Sequence, residues 1–123
     1  MSLLNTYEKF KKVNDDFISF IDKLVINNFE SFTEEEIIEN LKSALGKFEA
    51  LKFESDEITV TDEENNNLRD LKYLIMNGLF LVSDLNHFYN LKELERFKMR
   101  AVNYINHNRN KKILNNFLFF CKS

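Results

Sequence analysis

Apolar residues return every three or four positions along most of this chain, with polar residues filling the gaps. That is the period of an amphipathic α-helix. Leu3, Tyr7, Phe10, Phe17, Ile21 and Leu24 keep it and predict a first helix from about Leu3 to Asn28. A second helix is announced by FTEEEI, where Thr33 stands three residues before Glu36 as in a capping box and Phe32 and Ile37 flank them as a hydrophobic staple. Its apolar face is Ile37, Leu41, Ala44, Leu45, Phe48 and Leu51. The stretch FESDEITV, residues 53–60, holds three acids and a β-prone end, and reads as a surface loop.

Thr61 with Glu64 makes another capping box, opening a third helix through about Leu85. After the linker NHFY, residues 86–89, Asn90 with Glu93 and the pair Tyr89 and Leu94 repeat the cap and staple for a fourth. Short connections set consecutive helices side by side and antiparallel. The expected fold is therefore all-α: an up-down antiparallel bundle of four main helices in one domain, residues 1–123.

Two segments depart from a simple bundle. On the third helix Leu68, Leu71, Ile75, Leu79, Val82 and Leu85 share one face, while Tyr73, Met76 and Phe80 form a second stripe nearly opposite. A helix with one buried face needs only the first. On the fourth helix Leu94, Phe97, Ala101 and Ile105 hold one face, but its continuation meets Asn108 and Lys112. The pattern resumes at Ile113, Phe117 and Phe120, rotated by about 100°. Asn tolerates left-handed backbone, so a helix end at Asn106 or Asn108 is expected, followed by a short fifth C-terminal helix that covers the second stripe. Because Phe117, Leu118, Phe119 and Phe120 are consecutive, they spread around most of a helix and cannot all face one core. Some of that surface is expected to meet another chain.

Composition agrees with this picture and narrows the chemistry. The chain of 123 residues has no Pro and two Gly, and its aromatic bulk is mostly 13 Phe, side chains suited to filling a core. No apolar run approaches the ~20 residues of a membrane span, and the N-terminus lacks an apolar leader, so a cytoplasmic protein is expected. Cys121 is the only cysteine and has no partner for a disulfide. Gly46 and Gly78 lie inside helical pattern, which excludes a glycine-rich phosphate loop and suggests that Gly78 permits close helix packing. Asp84 and His87 are the one carboxylate-x-x-His pair, where a helical di-metal site needs two, so neither metal nor cofactor is expected. The acidic set Glu34, Glu35, Glu36 and Glu39 suits a helix N-terminus.

Charge is segregated along the chain. Residues 1–91 hold nine Lys and Arg against eighteen Asp and Glu, whereas residues 92–123 hold eight against two. An acidic body folding against a basic last quarter accounts for this, and so does a phosphate-binding segment made of Lys98, Arg100, Arg109, Lys111 and Lys112 with Tyr104 and His107 among them. Within that segment RAVNYINH, residues 100–107, resembles the Arg-x(4–6)-His motif of the higher-eukaryote and prokaryote nucleotide-binding domains. These are small all-α proteins, many of them metal-independent ribonucleases that act as dimers. The resemblance covers eight residues and implies that His107 moves the proton while Arg100 stabilises charge on the phosphate. Apolar Ala101 stands where that family usually has a polar residue.

The reading that uses most of the sequence is a non-catalytic protein-interaction module of chaperone, adaptor or neutralising type. Its anchors would be Tyr73, Met76, Phe80, Phe117, Leu118, Phe119 and Phe120, and its partner another protein or a second copy in a homodimer. The alternative is a ribonuclease-like or nucleic-acid-binding helical domain that uses Arg100, His107 and the basic quarter.

Overall fold

The computed structural model describes residues 2–109 and places them in four α-helices, α1 (Leu3–Ile26), α2 (Glu34–Asp56), α3 (Asn65–Asn90) and α4 (Leu94–Arg109), with a 3-10 turn at Asp62–Glu64 before α3. The expected fifth helix, Lys111, Lys112, Phe117, Leu118, Phe119, Phe120 and Cys121 lie outside the described residues.

Contacts between distant residues fix the topology. Thr6 donates to Glu54 and Phe20 meets Phe32, so α2 runs back along α1. The Asp56–Lys72 ion pair and the approach of Phe48 to Gly78 reverse α3 on α2. Asp84 pairs with Arg100 and Tyr89 with Phe97, reversing α4 on α3. Asn14 bonds Asn108 while Asn28 bonds Lys98, which closes α4 antiparallel on α1. The result is the expected up-down four-helix bundle. Its core is the predicted set of faces: Tyr7, Phe10, Ile21 and Leu24 from α1, Ile37, Leu41 and Phe48 from α2, Leu71, Ile75, Val82 and Leu85 from α3, Phe97 and Ala101 from α4. No helix among the described residues is long and apolar enough to cross a membrane.

Helix ends differ from expectation where tertiary contacts intervene. Thr33 and Glu36 form the expected reciprocal capping box. Only the second half of residues 53–60 is a loop: α2 continues through Asp56, because Leu51 and Ser55 still face the core, and the non-helical residues 57–60 turn Ile58 into the core rather than out to solvent. Two of the three acids that suggested a loop are held by lysines, Glu54 by Lys9 and Asp56 by Lys52 and Lys72. Burial drives the Glu54 carboxyl upward, but hydrogen bonds from Lys9 and Thr6 outweigh it and leave the pKa below its ordinary value. Thr61 makes no side-chain cap, and the 3-10 turn closes instead through the Glu64 N–H on the Thr61 carbonyl.

The linker NHFY is helical too. The third helix runs to Asn90, since Tyr89 and Phe97 enclose Phe29. It stops in a Schellman motif, with the Lys92 N–H on the Tyr89 carbonyl, the Glu93 N–H on the Phe88 carbonyl and Lys92 left-handed at φ 59°. This replaces the expected Asn90/Glu93 cap and the Tyr89/Leu94 staple, with the Glu93 carbonyl receiving the Phe97 N–H. A Schellman motif around Asn28, φ 51°, likewise ends α1 at Ile26 rather than Asn28.

Neither Asn106 nor Asn108 ends α4, which is unbroken through Arg109. Asn108 sits on the core side without loss because its amide donates to the Tyr104 carbonyl and its oxygen accepts from Asn14. Asn14 in turn receives the Tyr104 hydroxyl, and both residues are buried. A closed polar triangle therefore stands where the apolar pattern lapses, and the helix passes through it.

Candidate interaction face

Why does α3 carry apolar residues on two sides? Its core side is occupied: Leu71, Ile75, Val82 and Leu85 are fully enclosed, and Gly78 lets Phe48 approach so closely that an added Cβ would lie 2.3 Å from the Phe48 ring. The other side faces outward, with Tyr73 57% and Phe80 55% exposed, while Met76 is half-buried at the edge. Of the first stripe, Leu79 is only partly buried, and Leu74 and Leu81 join the core instead. No other described helix covers the outward face.

Helical geometry places that face against the other candidate site. Arg100 Nε donates to Asp84 Oδ2 at 2.9 Å, a rung between α4 and α3 that leaves both side chains about a third to a half exposed. His107 lies seven residues beyond Arg100, about 10.5 Å along the axis and about 20° short of two turns. Because α3 is antiparallel, the same step of seven back from Asp84 arrives at Asn77, so His107 stands level with Asn77 on the same seam. Phe80 falls between the two rungs on α3, and Tyr73 is one further turn beyond Asn77. The two sets of residues singled out in the sequence thus share one seam, an aromatic side on α3 and a polar side on α4.

The polar side is not arranged as a phosphate site among the described residues. Arg100 is engaged by Asp84, and His107 is exposed with no hydrogen bond to Arg100. Lys98 reaches away from them, bonding Asn28, lying 5.9 Å from the Phe29 ring centre and pairing with Glu95. Arg109 closes the described part of α4. Nor does Asp84 work with His87 as a ligand pair, since its carboxylate is taken by Arg100 and the exposed His87 ring tilts against Phe88. No group of three or more His, Cys, Asp or Glu that would hold a metal occurs among the described residues.

The helical pattern does not announce one further feature. An open groove of about 350 Å³ runs between α1 and α2, floored by Val13, Ala50 and Leu51 and rimmed by Lys9, Lys12, Lys47, Asp16 and Glu54. Its trace in the sequence is the small side chain of Ala50 on α2. Of the polar triangle, Asn108 stands out in the sequence as a break in pattern and Tyr104 as a member of the basic segment, a role at the surface that its burial and its bond to Asn14 rule out.

No protein-family model matches the chain, and no curated protein or solved structure matches it either.

Proposed function

We propose that this protein is a non-catalytic interaction module that binds another protein through the outward face of α3. The observation that supports it most is the paired exposure of Tyr73 and Phe80 on one face of a helix whose core face is already complete. Scattered surface apolar residues are ordinary, but two rings and a methionine at helical spacing form a stripe that a partner helix or groove can cover. Burying such a ring contributes about 1.5–3 kcal/mol, so the pair can anchor a complex. Phe117, Leu118, Phe119 and Phe120, also expected as anchors, lie outside the described residues.

A second reading draws support from the continuity of α4, which keeps Arg100 and His107 on one face as the resemblance to the nucleotide-binding domains requires. There His107 would transfer the proton and Arg100, released from Asp84, would meet the phosphate. The Asp84 pairing weighs against it.

Solution mass separates the readings. Tag-free protein is measured by light scattering alone and after incubation with lysate from its source, with co-eluting material identified by mass spectrometry. A stable protein complex lost with Tyr73→Ser and Phe80→Ser supports the interaction module. A homodimer carrying RNA that is lost with His107→Ala supports the second reading, and a monomer without a passenger rejects both.

A further inference from the structure

We propose that the outward face of α3 is a dimer interface, in which two copies of this chain pack α3 against α3 antiparallel about a twofold axis between Met76 and Asn77. This rests on the interaction reading of that face and names its partner as a second copy.

A twofold interface is isologous: where residue i of one copy meets residue j of the other, j also meets i. A helix face joins its own copy antiparallel only if its pattern, taken in reverse, offers each residue a fitting mate. The outward face of α3 has that pattern. Arg69, Tyr73, Met76, Asn77, Phe80 and Asp84 fall within an arc of about 100°. In pairs they stand equally far from the midpoint between Met76 and Asn77. Tyr73 is therefore level with Phe80 of the second copy, and Phe80 with its Tyr73. Two rings that are each more than half exposed in the single chain then cover one another twice.

The same register matches charge. Arg69 comes level with Asp84 of the second copy at both ends of the contact. Arg69 is exposed and makes no ion pair among the described residues. Asp84 keeps its side chain about half exposed and gives Oδ2 to Arg100, which leaves Oδ1 for a second cation. Neighbouring registers lose the match. Stacking Tyr73 on its own mate sets the exposed acid Asp62 against Asp84, and stacking Phe80 on its own mate sets Arg69 against Leu91. Charge complementarity thus selects both the occupant and its register. The interface is small, one helix face per copy, so the dimer forms as concentration rises.

Light scattering on the tag-free full chain, from dilute solution to the millimolar range, should give a mass that rises from one chain to two. Tyr73→Ser with Phe80→Ser should hold it at one chain over the same range. Disulfide trapping in a Cys121→Ser background reads the register. In Met76→Cys the two sulfurs lie beside each other, offset by about 1.5 Å along the helices, and mild oxidation should join the chains. In Arg69→Cys they lie about 22 Å apart and should stay unjoined. A chain that is monomeric throughout overturns the proposal. So does a dimer that keeps its mass without the two rings, or one in which Met76→Cys is joined no faster than Arg69→Cys.

The interaction reading can outlive this dimer. If the chain is monomeric but a complex formed in lysate is lost with Tyr73→Ser and Phe80→Ser, the reading stands with a different partner and the dimer falls. If a dimer survives the loss of both rings and no lysate complex depends on them, both fall.

Discussion

At the scale of single residues, the two glycines of this chain behave oppositely although both sit inside helices. Gly46 has nothing within 4 Å of an added Cβ, whereas one at Gly78 would lie 2.3 Å from the ring of Phe48, itself fully buried. Gly46→Ala gains only the helix preference for alanine and is expected to stabilise by about 1 kcal/mol. Gly78→Ala gains the same preference but forces Phe48 out of place, and a net loss of about 1–3 kcal/mol should appear in urea denaturation. Lys92 offers a third case. It is exposed and holds a left-handed backbone that costs a non-glycine residue about 1–2 kcal/mol, so Lys92→Gly should raise stability by about 1 kcal/mol in the same measurement.

Helices are where local pattern and distant contact meet, and the Tyr104 triangle shows how the second can override the first. The Tyr104 phenol donates to Asn14 within the bundle, and burial pushes its pKa well above the ordinary tyrosine value. Because the folded-state pKa lies above the unfolded one, this contribution is fully present below pH about 10 and is lost as pH rises further. Tyr104→Phe leaves the buried Asn14 oxygen without its donor and should cost about 1–3 kcal/mol at neutral pH. The same substitution should flatten the fall in stability above pH 10, which denaturation at neutral and alkaline pH would measure. This triangle also marks what sequence spacing hides. An Asn on a core face reads as a break, and its partner Asn14 lies 94 residues away. Residues 53–56 misled for the same reason, their acids being satisfied by Lys9 and Lys72 on other helices. Where apolar residues alone decide, as along α1 and α2, spacing was enough to read the buried faces. The Tyr73 and Phe80 stripe was equally legible, but its adjacency to Arg100 was not, since that depends on the register between α3 and α4.

For the molecule as a whole, the division of α3 into two faces decides how stability and binding relate. Leu71 and Ile75 are fully enclosed by the bundle, and truncating either to Ala removes packed methyl groups at a cost of about 2–5 kcal/mol. Tyr73 and Phe80 lie on the same helix, within a few residues, yet keep more than half of their surface in solvent. Polar substitution there removes few contacts made by the described residues, so Tyr73→Ser and Phe80→Ser should each move stability by no more than about 0.5 kcal/mol. If those residues serve a partner, the same pair should abolish complex formation in the light-scattering assay while urea denaturation stays near the wild-type midpoint. A face that instead belongs to the fold would show the reverse, with stability falling by as much as for Leu71→Ala. The contrast needs both measurements on both faces, because loss of binding alone follows equally from an unfolded bundle.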